Sequence, residues 1–172
     1  MKKKSILLIS FIFIIIHLLA DNHFQSISGT FGERRSSLDN EWINMNPASA
    51  PNGRYYFDMA ADFTEHKVVL FGGLGQVGGD YCSLDDTWIY NPSSNIWENP
   101  APAVHPPRRY GHTMSYSSVD SVIVVFGGVD PYDDPVVFND IWFYHINSNT
   151  WEEANIISPI PARGFQSMTF DS

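Results

Sequence analysis

A repeat with a period of 54 to 55 residues restricts what this chain can fold into more than any single element does. Trp42, Trp97 and Trp151 share one phase, and Arg54, Arg109 and Arg163 each follow their tryptophan by twelve residues. Gly72-Gly73 falls in register with Gly127-Gly128, and Asp86-Thr-Trp88-Ile-Tyr90 with Asp140-Ile-Trp142-Phe-Tyr144. Self-similarity of this length marks architectures in which each unit buries its apolar face only against its neighbours.

Within one period the strand signals follow a regular order. Asp58 to Phe63 mixes small and apolar residues after the arginine turn, and Lys67 to Phe71 is a nearly continuous apolar run closed by Gly72-Gly73. The second pattern reads as a buried strand ended by a flexible turn. Thr87 to Asn91 alternates aromatic with other residues before the turn-forming Asn91-Pro-Ser-Ser-Asn95, and Ile96 to Glu98 makes a short last strand. The second period repeats the plan at His112 to Ser117, Val122 to Phe126, Ile141 to Ile146 and Thr150 to Glu153. A third unit opens at Pro161-Ala-Arg163, with Phe165 to Asp171 expected as its first strand. Glu41 to Asn44, around Trp42, matches a last strand without its three predecessors. The aromatic share of 15%, spread among Gly and Pro, suits many short strands better than long helices.

Val68-Val-Leu-Phe-Gly-Gly73 and Val122-Ile-Val-Val-Phe-Gly-Gly128, each followed by Asp-x-Trp-x-Tyr and then Trp, resemble the kelch repeat. The resemblance runs from Trp42 to the end of the sequence. It implies an all-β, kelch-type β-propeller that is incomplete: two full four-stranded blades (about 54–98 and 109–153), the start of a third (163–172) and an N-terminal outer strand. The first strand of each blade would line the central channel and the fourth the rim. For the repeated landmarks a structural role is expected. The glycine pairs serve a crowded turn, Trp88, Trp97, Trp142 and Trp151 pack between blades, and Arg54, Arg109 and Arg163 hold the turn entering each blade by donating to backbone carbonyls. A sugar-stacking role for a tryptophan is the alternative.

The N-terminal end is of a different kind. Lys2, Lys3 and Lys4 precede an almost wholly apolar stretch from Ser5 to Leu19, a secretory signal pattern too short to favour a spanning helix. Residues 1–20 are expected to be a signal peptide cleaved after Ala20, followed by a polar segment over 21–40 and the partial propeller over 41–172. The chain would then be extracellular or periplasmic, with a signal-anchored membrane protein as the alternative. Without those lysines seven of the ten basic residues remain against nineteen acidic ones, a net charge of −12. Nucleic acid and anionic membrane surfaces are therefore unsuitable partners. Cys82 stands alone, so an internal disulfide is not available.

Antiparallel reversal places the connections 74–85, 129–139, 99–108 and 154–162 on one face, where long loops on rigid scaffolds carry function. Asp80, Tyr81, Asp130, Tyr132, Asp133 and Asp134 are the candidate ligand-binding residues there, suited to a basic peptide or a polyhydroxylated glycan. Solvated turn residues are the plainer reading. No metal or cofactor is expected: Asp130-Pro-Tyr-Asp133-Asp134 lacks the spacing of a calcium loop, and His105, His112 and His145 lack metal-ligand spacing. No nucleophile elbow occurs either. The function these features support is a secreted protein- or glycan-binding scaffold. The alternative is the N-terminal part of a kelch-fold enzyme, similar to galactose oxidase or a sugar isomerase, whose active site lies outside this segment. Self-association of an incomplete propeller is also expected.

Overall fold

A computed structural model of the chain describes residues 44–132, 134–155 and 160–171. The leader, the polar segment and Trp42 lie outside the described residues, as does Asp133. Two compact units divide the chain at residues 46 and 47. Of the first, residues 44–46 are described, and the Asn46 amide there donates to the Asn44 side chain. All described regular structure belongs to the second unit and is β-strand: β1 Arg54–Tyr55, β2 Asp58–Asp62, β3 Lys67–Val77, β4 Asp80–Asn91, β5 Ile96–Glu98, β6 Thr113–Ser117, β7 Val122–Phe126, β8 Val129–Asp130, β9 Val136–Val137, β10 Ile141–His145 and β11 Thr150–Glu153.

Two four-stranded antiparallel blades account for most of these strands. The first has the order β2-β3-β4-β5, with β1 paired to the far end of β3, and the second β6-β7-β10-β11. The apolar runs of β3 and β7 are second in each blade, buried from Val68 to Gly73 in β3 and everywhere but the half-buried Val124 in β7. Asparagine fixes the outer corners. Asn95 and Asn149 adopt φ of 55° and 54°, which asparagine tolerates better than most residues. Their side chains accept hydrogen bonds from Tyr90 Oη at 2.9 Å and Tyr144 Oη at 2.7 Å.

The core lies between the blades. Ala60, Val69, Phe71 and Ile89 of the first meet Met114, Tyr116, Ile123, Val125, Trp142, Tyr144 and Trp151 of the second. Polar seams cross the same boundary. Asp58 Oδ2 accepts from the Met114 amide at 2.7 Å, and the Thr64 and Tyr116 hydroxyls meet at 3.2 Å.

Three expectations need correction. The strand before Gly72-Gly73 does not stop there: β3 continues to Val77 through a register shift between Phe71 and Gly73. Positive φ at both glycines, 57° and 102°, lets the backbone absorb the extra residue as a bulge. Consequently 74–85 is not a long loop but the end of a hairpin, closed by the two-residue turn Gly78-Gly79 with φ of 64° and 102°. Its counterpart 129–139 holds the short ribbon β8–β9. Finally, residues 165–171 form no strand. A strand exists by pairing, and this segment pairs with none of the described strands.

Candidate functional site

Each blade is entered through an arginine whose fork clamps the loop to the blade it begins. Arg109 is fully buried, and its Nη1 and Nη2 donate to Asp140 Oδ1 at 2.6 Å and Oδ2 at 2.7 Å. Nη1 also reaches the Gly127 carbonyl at 3.0 Å, Nε the Pro107 carbonyl at 3.0 Å, and the guanidinium lies 3.9 Å from the Phe138 ring centroid. Trp142 Nε1 completes the set by donating to Asp140 Oδ2 at 2.8 Å. Arg54, Asp86, Trp88 and the Gly72 carbonyl repeat this arrangement in the first blade. The bidentate fork is what arginine supplies and lysine does not.

The glycine pairs receive the next entry loop. The Gly73 amide donates to the Arg109 carbonyl at 2.9 Å, and the Gly128 amide to the Arg163 carbonyl at 2.8 Å. A Cβ on Gly72 would lie 2.7 Å from the Arg109 carbonyl oxygen, and one on Gly127 2.5 Å from that of Arg163. Close approach of backbone to backbone therefore requires glycine at both positions.

Two residues beyond each arginine the chain turns left-handed, at Tyr56 (φ 54°), Gly111 (φ 63°) and Phe165 (φ 63°). These residues are linked in series: the Gly111 amide donates to the Tyr56 carbonyl at 2.8 Å and the Phe165 amide to the Gly111 carbonyl at 2.6 Å. Their side chains, with Tyr110, form an aromatic rim. Tyr56 and Phe165 meet edge-on at 5.4 Å, Tyr56 and Tyr110 lie 5.7 Å apart, and Tyr110 and Phe165 5.9 Å. Tyr56 is 58% and Phe165 62% exposed. Aromatic residues in left-handed backbone, left open to solvent, mark strain that folding alone does not require. Burial, followed by the phenols of Tyr132 and Tyr56 and the Asp130 carboxylate, pushes the Tyr110 phenol above its ordinary range.

The model of the KLHDC2/KLHL20/DRC7 Kelch-repeats domain matches residues 32–172. The chain belongs to the kelch-repeat family. Among kelch relatives, Tip elongation aberrant protein 1 of Schizosaccharomyces pombe is 35% identical over 112 residues, which is 61% of this chain and 9% of that protein. The Rab9 effector protein with kelch motifs of Homo sapiens is 28% identical over 104 residues, 59% of this chain and 27% of that protein. This chain thus spans less than a third of either relative. The solved structure of YjhT superposes with a TM-score of 0.59 at 19% identity, over 72% of this chain and 44% of that one, a likeness of fold.

Of the kelch loop residues singled out in the sequence, Asp80 and Tyr81 sit exposed at the tip of the β3–β4 hairpin and Asp134 is exposed between β8 and β9. Tyr132 is half-buried beside Tyr110. Asp130 faces inward and is only 6% exposed. It accepts from Ser83 Oγ at 2.8 Å, Arg108 Nε at 2.7 Å and the Tyr132 amide at 3.2 Å. Its carboxylate ties the first blade's hairpin to the second blade's loop. Trp97, Trp142 and Trp151 are buried and Trp88 is half-buried, whereas Arg163 is exposed and donates through Nε to the Pro161 carbonyl at 3.0 Å. No grouping of three metal-ligating side chains occurs among the described residues. The rim residues Tyr56, Tyr110 and Phe165 were missed in the sequence. Tyr56 and Phe165 share an offset of two residues from Arg54 and Arg163, which was the available signal, whereas Tyr110 follows Arg109 directly.

Proposed function

We propose that this kelch chain is an exported scaffold that binds a protein partner through the aromatic rim of Tyr56, Tyr110 and Phe165. The observation that carries this reading is a cluster of three touching rings, of which Tyr56 and Phe165 are exposed on left-handed backbone and Tyr110 is half-buried. Clustered aromatics supply large contact area at low conformational cost and are enriched where proteins meet. A relative named as a Rab9 effector supports a protein over a glycan as the ligand. Export rests on Lys2 to Lys4 and the apolar stretch Ser5 to Leu19.

The deciding experiment is affinity capture with quantitative mass spectrometry, using the parent chain, a Tyr56→Ala/Tyr110→Ala double variant and, as control, Val119→Ala in the exposed β6–β7 turn. A partner retained by parent and control and lost from the double variant supports the rim. Equal capture by all three sinks it, and saturable binding on a glycan array in place of a protein partner moves the ligand to sugars. N-terminal sequencing of the exported chain should begin at Asp21, and a membrane-retained chain starting at Met1 would identify an anchor. The outward face of the second blade carries Val124, Ile141 and Phe143 half-buried, which also favours self-association at high concentration.

A further inference from the structure

The turn entering the first blade differs from its two counterparts at one place. Two residues before the clamp arginine stand Pro107 in the second repeat and Pro161 in the third, but Asn52 in the first, with Gly53 after it. No other Asn-Gly pair occurs in the sequence. In all three repeats the arginine Nε donates to the carbonyl of that residue, at 3.2 Å for Asn52 and 3.0 Å for each proline. Asn52 and Gly53 are exposed and lie outside any strand, and nothing stands within 4 Å of where a Gly53 Cβ would be. By contrast, the side chains of Asn95 and Asn149 are held by the Tyr90 and Tyr144 hydroxyls, and each precedes a β-branched residue.

We propose that Asn52 is a site of self-modification, at which the folded chain converts this asparagine to isoaspartate beside Arg54. The Gly53 main-chain nitrogen gives up its proton and attacks Asn52 Cγ. A bond forms between that nitrogen and Cγ, the Cγ–Nδ2 bond breaks, and ammonia carries the proton away, leaving a five-membered succinimide. Glycine permits the closure because no side chain crowds the attacking nitrogen. Arg54 assists, since the carbonyl its Nε holds belongs to the same peptide group as that nitrogen. Donation from a cationic group draws charge onto the carbonyl oxygen and so stabilises the deprotonated amide. Water then opens the ring. Cleavage at the former main-chain carbonyl frees a carboxylate on the residue 52 Cα, where Arg54 Nε already stands, and routes the chain through Cβ and Cγ. The lengthened main chain is accommodated because the turn is exposed, and a new negative charge joins the Arg54–Asp86 pair. Pro107 and Pro161 carry no side-chain amide, so the other two turns are chemically fixed.

The test incubates the full chain at mildly alkaline pH, folded and in urea, with Asn52→Gln and Gly53→Ala variants in parallel. Two readouts are taken: peptide masses, and methyl transfer from S-adenosylmethionine by an isoaspartyl carboxyl methyltransferase. In the folded chain the Asn52 peptide should gain about 1 Da ahead of every other asparagine and should accept methyl groups. It should react at least as fast as in urea, because the Arg54 contact exists only in the folded state. Gly53→Ala has open space for its Cβ and keeps the fold, yet should slow the gain about tenfold by hindering the attacking nitrogen. Asn52→Gln should abolish methyl uptake by that peptide. Slower reaction in the folded chain than in urea, another asparagine reacting first, or an unmethylated product at residue 52 overturns the inference.

Discussion

Trp151 Nε1 donates to Thr87 Oγ1 at 3.1 Å, joining the outermost strand of the second blade to the third strand of the first in a buried contact. The same indole lies 5.1 Å from the Phe71 ring and 4.7 Å from that of Tyr144, so one side chain serves both blades. Trp151→Ala should cost about 3 to 5 kcal/mol. Trp151→Phe retains most of the packing but leaves the Thr87 hydroxyl without its donor, and should cost about 1 to 3 kcal/mol. Urea unfolding midpoints of the two variants check both values, and equal midpoints to the parent would mean the contact is not part of the folded core.

Arg109 and Arg163 hold the same place in the repeat and should respond oppositely to truncation. Arg109→Ala strands the Asp140 carboxylate in a largely buried site and should cost about 3 to 5 kcal/mol. Arg163 is exposed, and Arg163→Ala should shift stability by less than about 0.5 kcal/mol. Denaturant titration of the pair decides it, because similar losses from both would show that the exposed arginine is equally committed.

Gly72→Ala brings a Cβ to 2.7 Å from the Arg109 carbonyl oxygen at a φ of 57°, so the blade junction must shift or break. A loss of about 1 to 3 kcal/mol is expected. Gly53→Ala has nothing within 4 Å and should be close to neutral. Thermal melts of the two variants provide the comparison.

His112 makes the junction sensitive to acid. It is 4% exposed, packs edge-on to Phe71 at 5.5 Å, and neither ring nitrogen has a well-formed hydrogen bond. Burial first and the Arg109 charge second hold its imidazole down at about 3, and the neighbouring Phe71 backbone offsets this only in part. The folded chain therefore keeps His112 neutral while the unfolded chain binds a proton near pH 6.5. The stability this gives is complete above that pH and falls away as the pH drops toward about 3. Asp58, whose burial raises its carboxyl, acts in the opposite sense at the acid end. Between pH 7 and 5 the parent should lose on the order of 2 kcal/mol that His112→Phe, which installs the residue found at Phe57, does not. Parallel slopes for parent and variant would remove His112 from the account.

The strands were legible in the sequence because their signals are local. Val122 to Phe126 announces a buried strand by composition, and Asn91-Pro-Ser-Ser-Asn95 announces the turn after Tyr90 by residues that suit it. The continuation of β3 to Val77 was not legible, since a bulge at Gly72-Gly73 reads in sequence like a stop. The inward orientation of Asp130 was not legible for a related reason. An aspartate among Pro and Tyr looks like a solvated turn, and only Ser83, 47 positions earlier, and Arg108 show it facing inward.

The sequence by itself determined the repeat, the strand order within each blade and the positions where glycine, arginine and tryptophan must recur, because hydrophobic periodicity and turn chemistry act over a few residues. Only the tertiary structure decided which of the repeated positions face solvent and which neutralise one another. Arg109 and Asp140 are 31 residues apart, and Tyr56 and Phe165 come from the first and third repeats. Their contacts arise from the way blades dock side by side, and docking geometry leaves no mark in the local pattern of either segment.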